Sequence, residues 1–158
     1  MRDVDASLLS AQHGLDCTCF RLRQATRRVS QIYDSYLGEL DLKNTQFTLL
    51  AHLTLKEFTI GELADWMVID PTTLNRNLRY LQERSLIESA PGERDRRERC
   101  LKATPAGRDL YKQAVPYWKA AQAAIRKALS RETSDQLHSV LLHASKLDLP
   151  EEAVIAQN

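Results

Sequence analysis

Two helix starts stand so close together in this chain that the first helix has room for only about two turns. "TIGE" is a capping box, with Thr59 as the cap and Glu62 at the reciprocal position. Shortly after it, "DP" opens a second helix. Asp70 supplies the capping carboxylate, and Pro71 takes the first helical position, where a missing N–H costs nothing. Leu63 and Met67 give the first helix an apolar side, and Leu74, Leu78 and Leu81 give the second one another. Two such helices joined by "VID" must cross and bury those sides, which is a helix-turn-helix. "LIES", the charged turn "APGERDRRER" and the returning "CLKA" follow at once and read as a β-hairpin. A helix-turn-helix with a hairpin behind it is a winged helix.

Long helices flank this unit. Cys19, Leu22, Thr26, Val29, Tyr33, Tyr36 and Leu40 recur at alternating spacings of three and four, which predicts an amphipathic helix of about six turns capped by Asp16. Another helix is expected over about 45–55. Beyond the hairpin, Thr104 is placed to cap a helix with Leu110, Ala114, Tyr117, Ala121, Ile125 and Ala128 on one face. Pro116 should bend it about one turn earlier. Thr133 and Gln136 read as a further capping box before Leu137, Val140, Leu141, Ala144 and Leu147. The predicted fold class is mainly α with a small β-hairpin wing: a single domain, 1–158, dimerised through its N- and C-terminal helices. In it, about 45–103 form the winged helix-turn-helix, and about 16–40 and 104–147 form dimerisation helices. The apolar seams of the first and last helices have few partners inside so small a domain, and a second chain would cover them. The competing reading is a monomeric helical bundle.

Composition narrows the function. The chain has 158 residues, 43% of them hydrophobic, and a net charge of +1, so any basic surface must be local. No stretch approaches the roughly 20 apolar residues of a membrane helix, and the N-terminus lacks the apolar core of a signal peptide, which points to the cytoplasm and to no membrane partner. Three cysteines are too few for a disulfide framework. There is no Gly-rich phosphate loop, paired-carboxylate motif, Ser-His-Asp order or metal signature, so neither an enzyme nor a bound cofactor is expected.

The second helix of the motif has an informative outer face. Thr72, Thr73, Asn75, Arg76 and Arg79 project away from the leucines, and no carboxylate joins them before Glu83. A helix in the major groove of DNA needs that composition, because the duplex is a dense negative charge. Arginine pairs in bidentate fashion with guanine, and asparagine with adenine. Threonines at a helix start, beside free N–H groups, suit a phosphate. A solvated helix face has a similar make-up, so the wing decides. Arg94, Arg96, Arg97 and Arg99 crowd a turn that has no structural use for so many guanidinium groups. A wing tip can enter the minor groove, where narrow A·T tracts concentrate negative potential. Asp95 reads as a brace that fixes a neighbouring arginine by a charge-assisted pair. A winged helix that binds protein rather than DNA is the competing class, and it would not call for an arginine-dense wing.

"DPTTLNRNLRYLQERSLI", "ERDRRER" and "ATPAGRDL" together resemble the MarR family of bacterial winged-helix regulators, over about 16–147. The strongest parts are Asp95 to Arg97 in the wing and Thr104 to Gly107 at the next helix start. The resemblance implies a homodimer on a pseudo-palindromic operator, usually as a repressor. It also implies release when a small phenolic or other anionic molecule binds, or when a cysteine is oxidised. Two positions depart from the family pattern: Ser85 replaces the usual glycine after the recognition helix, where φ > 0 is often needed, and Ala103 replaces a leucine.

Three readings of the signal stay open. Cys17 and Cys19 open the first helix, where the helix start and Arg21 and Arg23 place positive potential beside them and Asp16 opposes it. Cys19-Phe20 and Tyr33 resemble the family's organic-hydroperoxide sensors, although Arg23 and Asn44 stand where those carry two further tyrosines. Both cysteines also fit as small packing residues, as Cys100 does. Side chains two apart on a helix diverge by about 200°, which disfavours a Cys17–Cys19 disulfide. In the second reading His13, Cys17 and Cys19 offer soft ligands to a metal, at a spacing that matches no zinc signature. In the third, a small organic effector enters a cleft lined by His52, Trp66, Met67, Tyr111 and Trp118, each of which also fits as core.

Overall fold

The computed structural model describes residues 17–91 and 99–147 and divides the chain into two compact units, Met1–Ala121 and Gln122–Asn158. The first unit opens with α1, Thr18–Leu37. Cys17 stands at its N-cap without a side-chain bond to the helix, as suits a sulfur's weak acceptor strength. Asp16, expected in that role, lies outside the described residues. The helix was also expected to run to Leu40. Instead α1 stops at Leu37, and Gly38–Leu40 tighten into a 3-10 turn closed by Asp41 in the left-handed region, φ 53°. A poor helix former followed by an aspartate, which tolerates that region, accounts for the break.

Helix α2, Asn44–Leu55, borrows its cap from α1: the backbone N–H of Asn44 donates to Asp34 Oδ1 at 2.7 Å. A two-residue strand β1, Phe58–Thr59, leads into α3, Ile60–Met67, and both bonds of the Thr59–Glu62 capping box form, at 3.2 and 2.7 Å. Helix α4, Pro71–Glu83, starts as its sequence demands, with Thr73 N–H donating to Asp70 Oδ1 at 2.9 Å. Leu74, Leu78 and Leu81 are buried, and α4 packs against α2 and strand β2, Ile87–Pro91. The end of α4 is a Schellman motif: Leu86 N–H reaches the Leu81 carbonyl at 2.9 Å and Ser85 N–H reaches that of Gln82 at 2.8 Å. Ser85 accordingly sits at φ 55°, a conformation that glycine adopts at the least cost.

Strand β3, Arg99–Ala103, returns beside β2 in the register Ile87↔Ala103 to Pro91↔Arg99. It also pairs with β1 through Phe58↔Leu101 and Thr59↔Cys100, giving the sheet order β1-β3-β2. Sequence reasoning missed β1, since two residues show no alternation. Thr104 then caps α5, Pro105–Leu129, by accepting from Gly107 N–H at 3.0 Å. Its own N–H donates to the Leu86 carbonyl at 3.0 Å. A Cβ at Gly107 would lie 2.0 Å from that same Leu86 oxygen, so the residue can only be glycine while the backbones stay where they are. Pro116 is accommodated inside a continuous helix.

The second unit holds the end of α5 and α6, Arg131–Ala144. The expected Thr133–Gln136 box is not the start of α6. Ser130 is the cap, its Oγ accepting from Thr133 N–H, and its φ of 67° breaks the chain between the two helices. Ser130 has the same capping chemistry as Thr133 and lies three residues earlier, where the helical run begins. Arg126 pairs with Asp135. Among the described residues no helix is long and apolar enough to cross a membrane.

Gly107→Ala should lower stability by about 1–3 kcal/mol or more through overpacking against backbone. Ser85→Gly should raise it by about 1 kcal/mol by removing left-handed strain. Paired thermal and urea melts would check both.

Candidate nucleic-acid interface

Capping by Asp70 fixes the direction in which α4 projects its first two turns. Thr72, Asn75, Arg76 and Arg79 are exposed there and Thr73 is half-buried. The Asp70 carboxylate faces its own helix, not outward. Hydrogen bonds from the Thr73 side chain and backbone N–H hold its pKa below the ordinary carboxylate value. The outer face is therefore cationic and hydrogen-bonding until Glu83, which pairs with Arg79 at 2.7 Å. Both partners are well exposed, so the pair adds little stability and leaves the guanidinium able to exchange partners.

The face continues into a groove of about 650 Å³. Thr73, Arg76, Asn77 and Tyr80 of α4 line it with Lys43, Thr45 and Gln46 at the start of α2 and with Asp34, Gly38, Asp41 and Leu42 at and beyond the end of α1. Lys43, Asn77 and Tyr80 were not singled out from the sequence. The available signal was the second stripe Thr73, Asn77, Tyr80, Arg84, spaced four, three and four, which runs beside the leucine stripe. The wing residues Arg94, Asp95, Arg96 and Arg97 lie outside the described residues. At the base of the hairpin, Arg99 Nε donates to Ser89 Oγ at 3.1 Å, and Lys102 lies 3.5 Å from Glu88.

The candidate signal residues do not form one site. Cys17 and Cys19 are exposed at the start of α1, whereas Tyr33 is buried about 21 Å further along the same helix. Burial raises the Tyr33 phenol pKa, and its ring stacks with Trp118 at 6.5 Å between centroids. His13 lies outside the described residues, and among those described no group of three or more His, Cys, Asp or Glu could hold a metal. Cys100 is buried in the sheet. The five aromatic and sulfur candidates separate as well. Tyr111 and Trp118 pack on Phe47, at 5.5 and 6.0 Å, while His52 meets Trp66 at 3.8 Å and Phe58 at 6.4 Å. Met67 is half-buried. None of the five borders the groove beside α4.

A capped helix pair, an exposed second helix without outward carboxylates before Glu83 and a three-stranded sheet carrying a hairpin define a winged helix-turn-helix protein. The MarR family profile matches residues 40–98. MosR, a transcriptional regulator of M. tuberculosis solved in complex with DNA, is 30% identical over 84% of this chain and 100% of its own, with a TM-score of 0.67. BpsR of Bordetella bronchiseptica, described as regulated in its DNA binding by 6-hydroxynicotinic acid, is 22% identical, covers 84% of this chain and 96% of its own, and has a TM-score of 0.74. The transcriptional repressor CouR, bound to a 23-mer DNA duplex, is 22% identical over 83% and 94%, with a TM-score of 0.74. No curated protein matches the chain by sequence. The chain belongs to the MarR family of transcriptional regulators.

The lowered pKa of Asp70 sets a pH dependence. Because the folded value lies below the unfolded one, the carboxylate's contribution is complete above the unfolded pKa of about 3.9 and is lost as pH falls through the folded value. Asp70→Asn keeps a capping side chain but no titration. Its melting temperature should fall less steeply than that of the wild type as the pH is lowered from 5 towards 2, which thermal melts along a pH series would read.

Proposed function

We propose that this protein is a homodimeric, cytoplasmic DNA-binding transcriptional regulator that represses by occupying a pseudo-palindromic operator. The observation that carries the reading is the exposed face of α4, where Thr72, Thr73, Asn75, Arg76 and Arg79 stand free of outward carboxylates up to Glu83. Asn75 and Arg76 read base edges in the major groove, while the threonines and Arg79 meet phosphates. The wing arginines Arg94, Arg96 and Arg97, with Asp95 as brace, add a minor-groove contact. A DNA-bound relative at 30% identity supports the same assignment, and the description of CouR as a repressor supports the sign of the effect. Residues 45–103 do the reading; the flanking helices assemble the dimer. Binding should fall with salt at a log–log slope of about −0.9 per phosphate contact. Arg76→Ala should cost about 1–3 kcal/mol on the operator and relax specificity, while Arg96→Ala and Arg97→Ala weaken all sequences alike. Titrations of operator and random duplexes at several salt concentrations check this, and an unchanged operator-to-random ratio in Arg76→Ala would remove its base-reading role.

The assembly half of the reading rests on apolar surface left open in one chain. Leu22 on α1 is 38% exposed, and Val140 and Leu141 on α6 are 64% and 40% exposed. A second copy covers these seams and spaces two half-sites about one helical turn, or a multiple, apart. An effector acts by shifting that spacing. Exposed Cys19, at the start of the proposed seam, is the entry point for an oxidant, with Cys17 as the second thiol. A small organic effector is the other trigger, supported by the description of BpsR. Light scattering should give a dimer at micromolar concentration. Mild peroxide should release DNA from wild type, reversibly with reductant, and not from Cys19→Ser; retention of the operator by oxidised wild type would assign the trigger to the organic ligand.

A further inference from the structure

Tyr80 and Arg84 lie one turn apart on the side of α4 that faces neither the leucine core nor the exposed base-reading edge. Both reach the turn that ends α1. The Tyr80 hydroxyl lies 2.7 Å from the Asp41 carbonyl and 2.7 Å from Asp41 Oδ2, so its one proton is shared between two acceptors of the same residue. Arg84 Nη1 donates to that carbonyl at 2.7 Å and to the phenol oxygen at 3.1 Å, and Nη2 donates to the Leu40 carbonyl at 3.4 Å. The guanidinium also lies 5.4 Å from the Tyr80 ring centroid. The Arg84–Asp41 carboxylate contact, 3.8 Å, is the weakest part, and the Asp41 side chain is well exposed. What the group fixes is geometry. A planar fork on two successive carbonyls and a shared phenolic proton tolerate little rotation of α4 about its own axis. Asp41 can present its carbonyl this way because it occupies the left-handed region.

We propose that Tyr80 and Arg84 are positioning residues for DNA recognition: they moor the C-terminal half of α4 to the Leu40–Asp41 turn and thereby set the angle at which Asn75 and Arg76 meet the bases. The proposal rests on the DNA-binding reading given above. Neither residue needs to touch DNA. Their mooring point is the end of α1, which also caps α2 through Asp34. The two helices of the reading unit that pack on each other, α2 and α4, are thus both held from α1, so a shift of that helix end moves the reading face as a body.

The variants Tyr80→Phe and Arg84→Lys test this. The first removes one hydroxyl. The second keeps the positive charge but cannot fork two carbonyls. Wild type and variants are compared on a duplex selected from a random pool and on unselected duplex, across a salt series. Each variant should lose about three- to tenfold in the ratio of selected to unselected affinity. The salt slope on unselected duplex should stay unchanged, because no phosphate contact is lost. The double variant should lose no more than the worse single, since both cut one mooring. Hydrogen exchange without DNA reads the mooring directly: amides over residues 79–84 should exchange faster in both variants. An unchanged affinity ratio, or unchanged exchange, overturns the proposal. A salt slope lowered by about one in Arg84→Gln, which removes the charge, makes Arg84 a phosphate contact instead. Wild type that binds no DNA would sink the DNA-binding reading, while the exchange result would still decide whether the mooring exists.

Discussion

The backbone of Leu86 is the joint on which the first unit turns. Its N–H closes the Schellman motif that ends α4, and its carbonyl takes the N–H of Thr104, where α5 begins. Gly107 has no Cβ because that carbonyl occupies the space one would need. One residue therefore fixes where α4 stops, where β2 starts and how closely α5 approaches. Ser85 must accept left-handed backbone for this to happen, and the cost is offset by the bonds made on either side of it.

A second theme is that capping in this chain is partly non-local. Thr59, Asp70, Thr104 and Ser130 cap their own helices by short-range bonds. The start of α2 is instead capped by Asp34, ten residues back on another helix. Local caps set where elements begin. The borrowed one ties the orientation of α2 to that of α1, and the Asp41 group does the same for α4. The α2–α4 pair is thus held by polar bonds of defined direction as well as by the leucine core, whose contacts are nearly free of directional preference.

Most of the element order could be read from the sequence because helix starts here carry explicit chemistry: Thr59 with Glu62, Asp70 with Pro71, Thr104 with Gly107. The misreadings have separate causes. Thr133 and Ser130 have the same capping potential three residues apart, and only the backbone at Ser130, turned to positive φ, decides between them. β1 is too short for a pattern, and α1 broke at Gly38 because the following turn is closed by a single aspartate. The outward face of α4 was legible from the position of its leucines. Tyr80 and Arg84 were not, because their partners Leu40 and Asp41 are distant in sequence and supply backbone oxygens, which every residue carries. The aromatic residues could not be sorted into one cleft or two clusters by spacing alone, since Phe47 and His52 sit on one helix yet face different rings.

The order of the sheet has a consequence for crowding. With β3 in the centre, β2 is left as an outer strand, and it ends in Pro91, which has no N–H to offer a neighbour. Glu88, its second residue, is exposed and already matched to Lys102 across the ladder. A second molecule approaching edge-on meets a buried charge cost and a missing donor, the two devices that most effectively stop strands from zippering together. The outer edge of β2 is therefore a poor template for a strand of another chain.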